Sequence, residues 1–216
     1  MLGLENRRKN YPYCWIVLCV LGVGFFFSAC QSELNGLLRP TDFLKTPGII
    51  DPTREFGHLK TETVVVPATT DIFLAGAQPD VVLEYTDGGI SDWSPDNAPI
   101  SVLEGVITGG ETLDIYATGK ARHLPLASVS FTPKGWVQSG IMVKTEQTLH
   151  IKPFEGLIGS LVGLFDNQKE IILIGQHKQI VAPRGAHKLY LAMLDYPGAS
   201  SDNAGSYTVT IDVMRR

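Results

Sequence analysis

Residues 205–213, GSYTVTIDV, alternate apolar and polar side chains near the end of the chain. Successive side chains of a β-strand point to opposite faces, so residues two apart share a face. One face of this stretch collects the apolar side chains, Tyr207, Val209, Ile211 and Val213. Hydroxyl and carboxylate side chains occupy the other face. The pattern predicts a half-buried strand in an antiparallel sheet.

Similar segments recur upstream from residue 61, at short spacings and separated by Gly, Pro or Asn. No segment after residue 30 has a convincing helical period. Clear examples are PISVLEGVIT (99–108), ETLDIYATG (111–119), GSLVGLF (159–165), KEIILIG (169–175) and KLYLAML (188–194). About nine or more short strands in one domain are typical of a β-sandwich or jelly roll. The sequence therefore predicts an all-β, antiparallel domain over residues 61–216.

The stretch LDYPGASSDN (194–203) joins the last two predicted strands and carries Asp195, Asp202 and Asn203. Asp, Asn, Gly and Ser are ordinary turn residues, so a polar hairpin loop explains it without any ligand. The same residues also supply the carboxylate and amide oxygens that calcium prefers, in shells of about six to eight oxygens. Taken alone, the loop is compatible with a simple turn and with a calcium site.

The C-terminal part of the chain resembles the PA-I-type galactophilic lectins, which are small calcium-dependent bacterial lectins. The specific motif is LYLAMLDYPGASSDNAGSYTVTI (189–211), a strand followed by Asp-x-Pro-Gly, a short loop, Asp-Asn and Gly-Ser-Tyr. Weaker similarities lie in GGETLDIYATGKARH (109–123), GLIGSLVGLFDN (156–167) and APRGAHKLYLAML (182–194). The resemblance covers roughly residues 100–213 and implies a galactose-binding-like β-sandwich. Residues 61–99 lie outside the small lectins.

The resemblance implies a calcium site in this loop. Matched residue by residue, the side chains of Asp195, Asp202 and Asn203 would bind calcium, together with the backbone carbonyls of Ala199 and His123. The family has asparagine where Asp202 stands, so this chain keeps an oxygen there and adds a charge.

The resemblance also implies that a sugar binds calcium directly through its hydroxyls. Asp195, the backbone of Tyr196 and Asp202 would hold the sugar by hydrogen bonds. The histidine and glutamine that grip the far side of the sugar in the family have no match in LASVSFTPKGWVQSG (126–140). Trp136 offers a stacking face in that segment, and a buried core tryptophan is the alternative.

The first 29 residues have the features of a bacterial lipoprotein signal peptide. Arg7, Arg8 and Lys9 precede a 13-residue apolar run, Trp15–Phe27, that ends in Ser-Ala-Cys. A membrane-spanning helix needs roughly 20 apolar residues, so the run fits a cleaved signal better than a span. We expect lipid on Cys30, a tether over residues 30–60 and sorting to the outer membrane. An ordinary signal cleavage or an uncleaved anchor is the alternative.

Composition excludes some classes of function. The formal net charge is −4, and no basic stripe follows residue 30, which argues against a nucleic-acid partner. The five histidines lack zinc-ligand spacing, and no nucleophile or phosphate-binding motif occurs. A carboxylate pair that meets only in space stays open, but we expect no enzyme. Together with the resemblance, the sequence predicts a calcium-dependent carbohydrate-binding lipoprotein; the alternative is a structural or assembly envelope lipoprotein that binds no sugar.

Overall fold

The computed structural model describes residues 57–85, 89–123, 129–146 and 151–215. In this part of the chain there are thirteen β-strands, and the only helical element is one 3₁₀ turn, Ile72–Leu74. The strands are β1 (Gly57–Pro67), β2 (Val82–Glu84), β3 (Ser91–Trp93), β4 (Ile100–Val102), β5 (Thr112–Arg122), β6 (Ser130–Phe131), β7 (Met142–Thr145), β8 (Phe154–Leu157), β9 (Leu161–Phe165), β10 (Ile172–Leu173), β11 (His177–Val181), β12 (Leu189–Met193) and β13 (Ala204–Arg215). The prediction of an all-β fold is confirmed.

Two antiparallel sheets form the sandwich. The larger one has the order β1-β13-β5-β11, with β6 also paired to β5, and the smaller one has the order β10-β9-β12-β4. Two separate hairpins, β2-β3 and β7-β8, complete the described strands. All pairings between these strands are antiparallel. The long pairing of β5 with β13 determines which loops lie next to each other at each end of the two strands.

The core lies between the inner faces of the two sheets. In β13 the side chains of Tyr207, Val209, Ile211 and Val213 are fully buried, as the alternation predicts. They form one cluster with inward residues of β5, β9 and β12. Burying a large apolar side chain contributes about 1.5–3 kcal/mol, so this face of β13 supplies much of the stability of the sandwich.

Strand β9 is buried on both faces, unlike β13. All five of its residues are buried, and Val162 and Leu164 belong to a second cluster with Ile72 and Val143. A Cβ atom at Gly163 would lie 2.9 Å from Ile174 Cδ1, so the core side chains pack closely over this position. The continuous apolar run in the sequence therefore reflects two covered faces rather than one.

The N-terminal part of the domain extends the larger sheet. β1 begins at Gly57, ahead of residue 61 where the strand pattern starts, and pairs with β13 along its length. The segment 67–99 then contributes the 3₁₀ turn and the β2-β3 hairpin. The predicted leader (1–29), Cys30 and nearly all of the tether (30–60) lie outside the described residues, so these limits stay predictions. No described helix is long and apolar enough to cross a membrane.

Candidate functional site

The candidate site lies at the loop between β12 and β13. Asp195 follows β12 closely, and Asn203 immediately precedes β13. Between them the chain turns at Gly198, which has a positive φ of 78°. A Cβ atom there would lie 2.5 Å from the backbone oxygen of Leu83 in β2. Glycine is therefore required at position 198 for two reasons, the positive φ of the turn and the close approach of the β2-β3 hairpin.

Asp195 is the centre of a small buried network. Its Oδ1 accepts a hydrogen bond from the Tyr196 amide at 2.7 Å, and its Oδ2 accepts one from Asn203 Nδ2 at 2.7 Å. Nδ1 of His123 lies 3.2 Å from Asp195 Oδ2 and 3.1 Å from Asn203 Oδ1. Both Asp195 and Asn203 are buried. The structure thus brings together two predicted side-chain ligands, Asp195 and Asn203, and adds the side chain of His123, which the resemblance assigned only a backbone carbonyl.

Strand register explains why His123 meets this loop. The last pair of β5 and β13 joins Arg122 to Ala204, so the residues just beyond, His123 and Asn203, lie side by side. The hydrogen bond with Asp195 is the main cause that raises the pKa of His123, although burial acts in the opposite direction. The imidazole therefore tends to carry positive charge beside the buried carboxylate.

Asp202 lies at the same loop but is not satisfied in the same way. Its Oδ1 is buried and has no hydrogen-bond partner within the described part of the chain. Burial raises the pKa of Asp202, and the Asp195 and Asp92 carboxylates raise it further, while His123 lowers it. A buried carboxylate oxygen without a donor is costly, and a cation placed beside it would remove that cost. This feature fits a cation such as calcium.

The remaining predicted ligands fit less directly. Ala199 is buried, and its amide donates to the Tyr196 carbonyl at 3.0 Å. Across the described residues, no group of three or more His, Cys, Asp or Glu side chains forms a metal cage. A calcium shell at this loop would therefore depend on the Asn203 amide oxygen and on backbone carbonyls, as the resemblance implies.

Trp136, predicted to stack on the sugar, and Tyr196, predicted to bind it through its backbone, are both partly buried. Trp136 packs against the two core clusters, and its ring centre lies 6.2 Å from that of Phe131. The Tyr196 ring lies 5.9 Å from that of Tyr85, and its hydroxyl donates to the Met142 carbonyl at 3.4 Å. Trp136 thus packs against the core while the residue stays partly exposed, and its stacking role stays a prediction.

Sequence reasoning missed two residues that contact the candidate site, Asp71 and Asp92. The Asp92 carboxylate accepts hydrogen bonds from the amides of Ser200 and Ser201, both at 2.7 Å. Asp71 Oδ2 accepts one from the Gly198 amide at 2.9 Å. Both aspartates are almost completely buried. In the sequence, Asp71 stands out only as an acid before the apolar segment IFL (72–74), and Asp92 only as an acid at the inward position of β3.

Asp71 and Asp92 also affect each other. Burial raises the pKa of Asp71 well above its ordinary value, and a hydrogen bond and the charge of Asp92 raise it further. The amides of Gly198 and Phe73 act in the opposite direction. Asp71 therefore tends to keep a proton beside Asp92. This end of the sandwich thus has four acidic side chains at one loop, of which Asp195 and Asp202 act on His123.

Comparisons with known proteins give one named similarity. The N-terminal domain of EclA, described as a PllA-like lectin, superimposes with a TM-score of 0.38 and 19% sequence identity. The alignment covers 70% of this chain and 94% of that domain. No protein-family model matches the sequence, and no curated protein matches it. On its own geometry, the chain is an antiparallel β-sandwich with a buried acidic cluster at one loop.

Proposed function

We propose that this protein is a calcium-dependent carbohydrate-binding module of the galactose-type lectin class. The observation that carries the proposal is the convergence of Asp195, Asn203 and His123 beside Asp202, whose buried oxygen lacks a donor. Such an oxygen is unfavourable without a donor, and the charge of His123 lowers the pKa of Asp202 less than burial raises it. The proposal is one of binding, and it assigns no catalytic residue.

Calcium, when bound, would supply positive charge and open coordination positions for sugar hydroxyls. The side chains of Asp195, Asp202 and Asn203, with the carbonyls of Ala199 and His123, are the proposed ligands. Carboxylates beside the cation would accept charge-assisted hydrogen bonds from the sugar hydroxyls. Asp195 and Asp202 take this role, with the Tyr196 backbone at the edge of the site. Trp136 stays a predicted stacking residue.

The test is a titration of the full-length protein in detergent with galactosides, in calcium and in chelator. We expect binding in calcium, loss of binding in chelator and loss of binding in Asp195→Ala. Asp166→Ala is the matched control, because Asp166 is exposed and follows β9 at the opposite end of the β9-β12 pair. A glycan array in the same two buffers would identify the sugar. Equal binding by wild type and Asp195→Ala would contradict the site.

The second candidate is a structural or assembly lipoprotein that binds no sugar. One observation favours it, which is that the loop is already hydrogen-bonded within the protein. Asp195 accepts hydrogen bonds from Tyr196 and Asn203. The Asp71 and Asp92 carboxylates accept hydrogen bonds from the amides of residues 198, 200 and 201. This candidate expects no galactoside binding and the same melting temperature in calcium and in chelator.

The membrane part of the proposal is a lipid anchor at Cys30 that places the domain at the bacterial outer membrane. It rests on the charged start, the short apolar run and the Ser-Ala-Cys end of the leader. Mass spectrometry of the membrane-extracted protein should find an N-terminus at Cys30 with added acyl mass. Intact Met1, or recovery only from the inner membrane, would contradict it.

A further inference from the structure

The segment 67–99, which lies outside the resemblance, packs directly on the candidate loop. Two of its residues, Asp71 at the start of the 3₁₀ turn and Asp92 in β3, reach the loop through hydrogen bonds. Their partners lie 127 and 108 residues away in the sequence. All of these partners are backbone amides of the loop, at positions 198, 200 and 201. The two aspartates therefore bind the backbone of the loop rather than its side chains.

The hydrogen bonds at this contact are short and buried. Asp92 is completely buried and accepts from both Ser200 and Ser201 at 2.7 Å. Asp71 accepts from Gly198 with one oxygen at 2.9 Å and from Phe73 with the other at 2.8 Å. Hydrogen bonds to a charged acceptor are stronger than those between neutral groups, which favours the pair that Asp92 accepts, whereas Asp71 accepts its bonds as a carboxyl group that tends to keep a proton. Each of the two aspartates thus holds one part of the loop.

Asn97 joins the two aspartates into one unit. Its Oδ1 accepts from the Trp93 amide at 3.2 Å, its Nδ2 donates to the Thr69 carbonyl at 2.8 Å, and its own carbonyl accepts from the Asp71 amide at 2.7 Å. Asn97 is buried as well. The strand that carries Asp92 and the turn that carries Asp71 are therefore tied together independently of the loop.

Shape complementarity supports the same conclusion. Gly198 approaches β2 so closely that a side chain there would collide with the Leu83 carbonyl. The rings of Tyr85 and Tyr196 meet on the same side. Hairpin and loop thus touch at three places, through amides, through backbone and through aromatic rings. All three kinds of contact are made within the protein, without a ligand.

We propose that Asp71 and Asp92 are positioning residues for the candidate site, which hold residues 198–201 in the binding conformation before calcium or sugar arrives. The role in binding rests on the proposed function, whereas the positioning itself does not. Neither residue is assigned to touch the cation. By fixing the loop in advance, they reduce the conformational entropy lost on binding and so strengthen it.

The first measurement is hydrogen exchange, resolved to single amides, on the full-length protein in detergent with chelator. We expect the amides of Gly198, Ser200 and Ser201 to be protected in wild type without calcium. Losing a hydrogen bond to a charged acceptor changes a local opening equilibrium by roughly ten- to a hundredfold. Asp92→Ala should therefore speed exchange at Ser200 and Ser201 by at least about tenfold. Exchange at Val209 in β13 serves as the internal reference.

The second measurement is the calcium and galactoside affinity of the same proteins. Asp92→Ala should weaken both by about tenfold or more, whereas Asp166→Ala, at the other end of β12, should leave them unchanged. If Asp92→Ala does not fold, Asp92→Asn replaces it. This variant keeps one acceptor oxygen, so it should preserve protection at one of the two amides and weaken binding less.

The outcomes separate this inference from the proposed function. Loop amides that are unprotected in chelator and become protected only in calcium would overturn the positioning role. So would an Asp92→Ala variant that loses loop protection yet binds calcium and galactoside like wild type. If wild type binds neither ligand, the proposed function fails. Protection of the loop amides in chelator would still support the conclusion that Asp71 and Asp92 position the loop.

Discussion

Buried acids at the two ends of the β5-β13 strand pair have opposite electrostatic surroundings. Before β5, the buried Glu111 binds Arg215, the last residue of β13, with Oε1 and the guanidinium nitrogen 2.5 Å apart. Its carboxylate also accepts from the amides of Thr108 and Gly109 at 3.2 and 2.8 Å. After β5, His123 faces Asp195 and the other acids of the loop.

The electrostatic results differ accordingly. Burial alone would raise the pKa of Glu111, but Arg215 and the surrounding amides outweigh it and lower the pKa to about 2. At the other end the pKa values of Asp71 and Asp202 are raised. A balanced buried charge is typical of a structural contact, whereas unbalanced acids with raised pKa values are typical of functional sites. This contrast is the physical reason to place the site at the His123 end.

The largest expected effect comes from removing the balanced acid. Glu111→Ala leaves the Thr108 and Gly109 amides and Arg215 without their common partner. We expect a loss of about 3 kcal/mol in the free energy of unfolding, independent of calcium. Denaturant unfolding measures it, with Glu155→Ala as the control because Glu155 is exposed on β8. Equal losses in the two variants would show that Glu111 is not a structural contact.

A slightly smaller effect should come from calcium at the unbalanced end. A ligand that binds only the folded state adds about 2.7 kcal/mol at a hundredfold excess over Kd. For a domain of this size the melting temperature should then rise by roughly 5–10 °C. Asp195→Ala should abolish the rise, because the proposed ligand is gone. If wild type melts at the same temperature in calcium and in chelator, the loop is only a turn.

The pH dependence of stability should separate the two ends further. Because the pKa of Glu111 is lowered from 4.5 to about 2, its contribution is complete above pH 4.5 and is lost as the pH falls toward 2. The loss should be smaller than that of Glu111→Ala, since the protonated carboxyl still accepts hydrogen bonds. Unfolding of wild type and Glu111→Gln between pH 6 and 2 tests this. A parallel pH dependence in the two proteins would contradict it.

The smallest effect concerns Asp202→Asn, which restores the residue type of the resembling lectins. In chelator we expect a gain of less than about 1 kcal/mol, because repulsion from Asp195 and Asp92 is relieved. In calcium the melting shift should be reduced but present, since one carbonyl oxygen remains. Thermal unfolding in both buffers measures the two changes. A destabilised Asp202→Asn in chelator would mean that the carboxylate has a favourable role without metal.

Local patterns in the sequence account for much of the fold. The alternation in 205–213 predicts which side chains of β13 are buried, because the two-residue period is a property of the strand itself. The continuous apolar run of β9 predicts a strand, but it does not predict which residues bury the second face of that strand. Ile72 and Val143 do so. Which strands pair, and which hairpin covers β9, depends on packing between distant segments.

In the candidate site, too, the sequence predicts some residues and only the structure shows the others. Asp195, Asp202 and Asn203 were accessible from sequence because they share one short loop between two predicted strands. Their meeting with His123 needed the register of β5 on β13, and the resemblance supplied it only as an expectation.

Only the tertiary structure brings Asp71 and Asp92 to the loop amides and Arg215 to Glu111, across 127, 108 and 104 residues. No local pattern predicts such contacts, because a buried carboxylate is stable wherever the fold offers donors, and the fold alone decides where those donors lie.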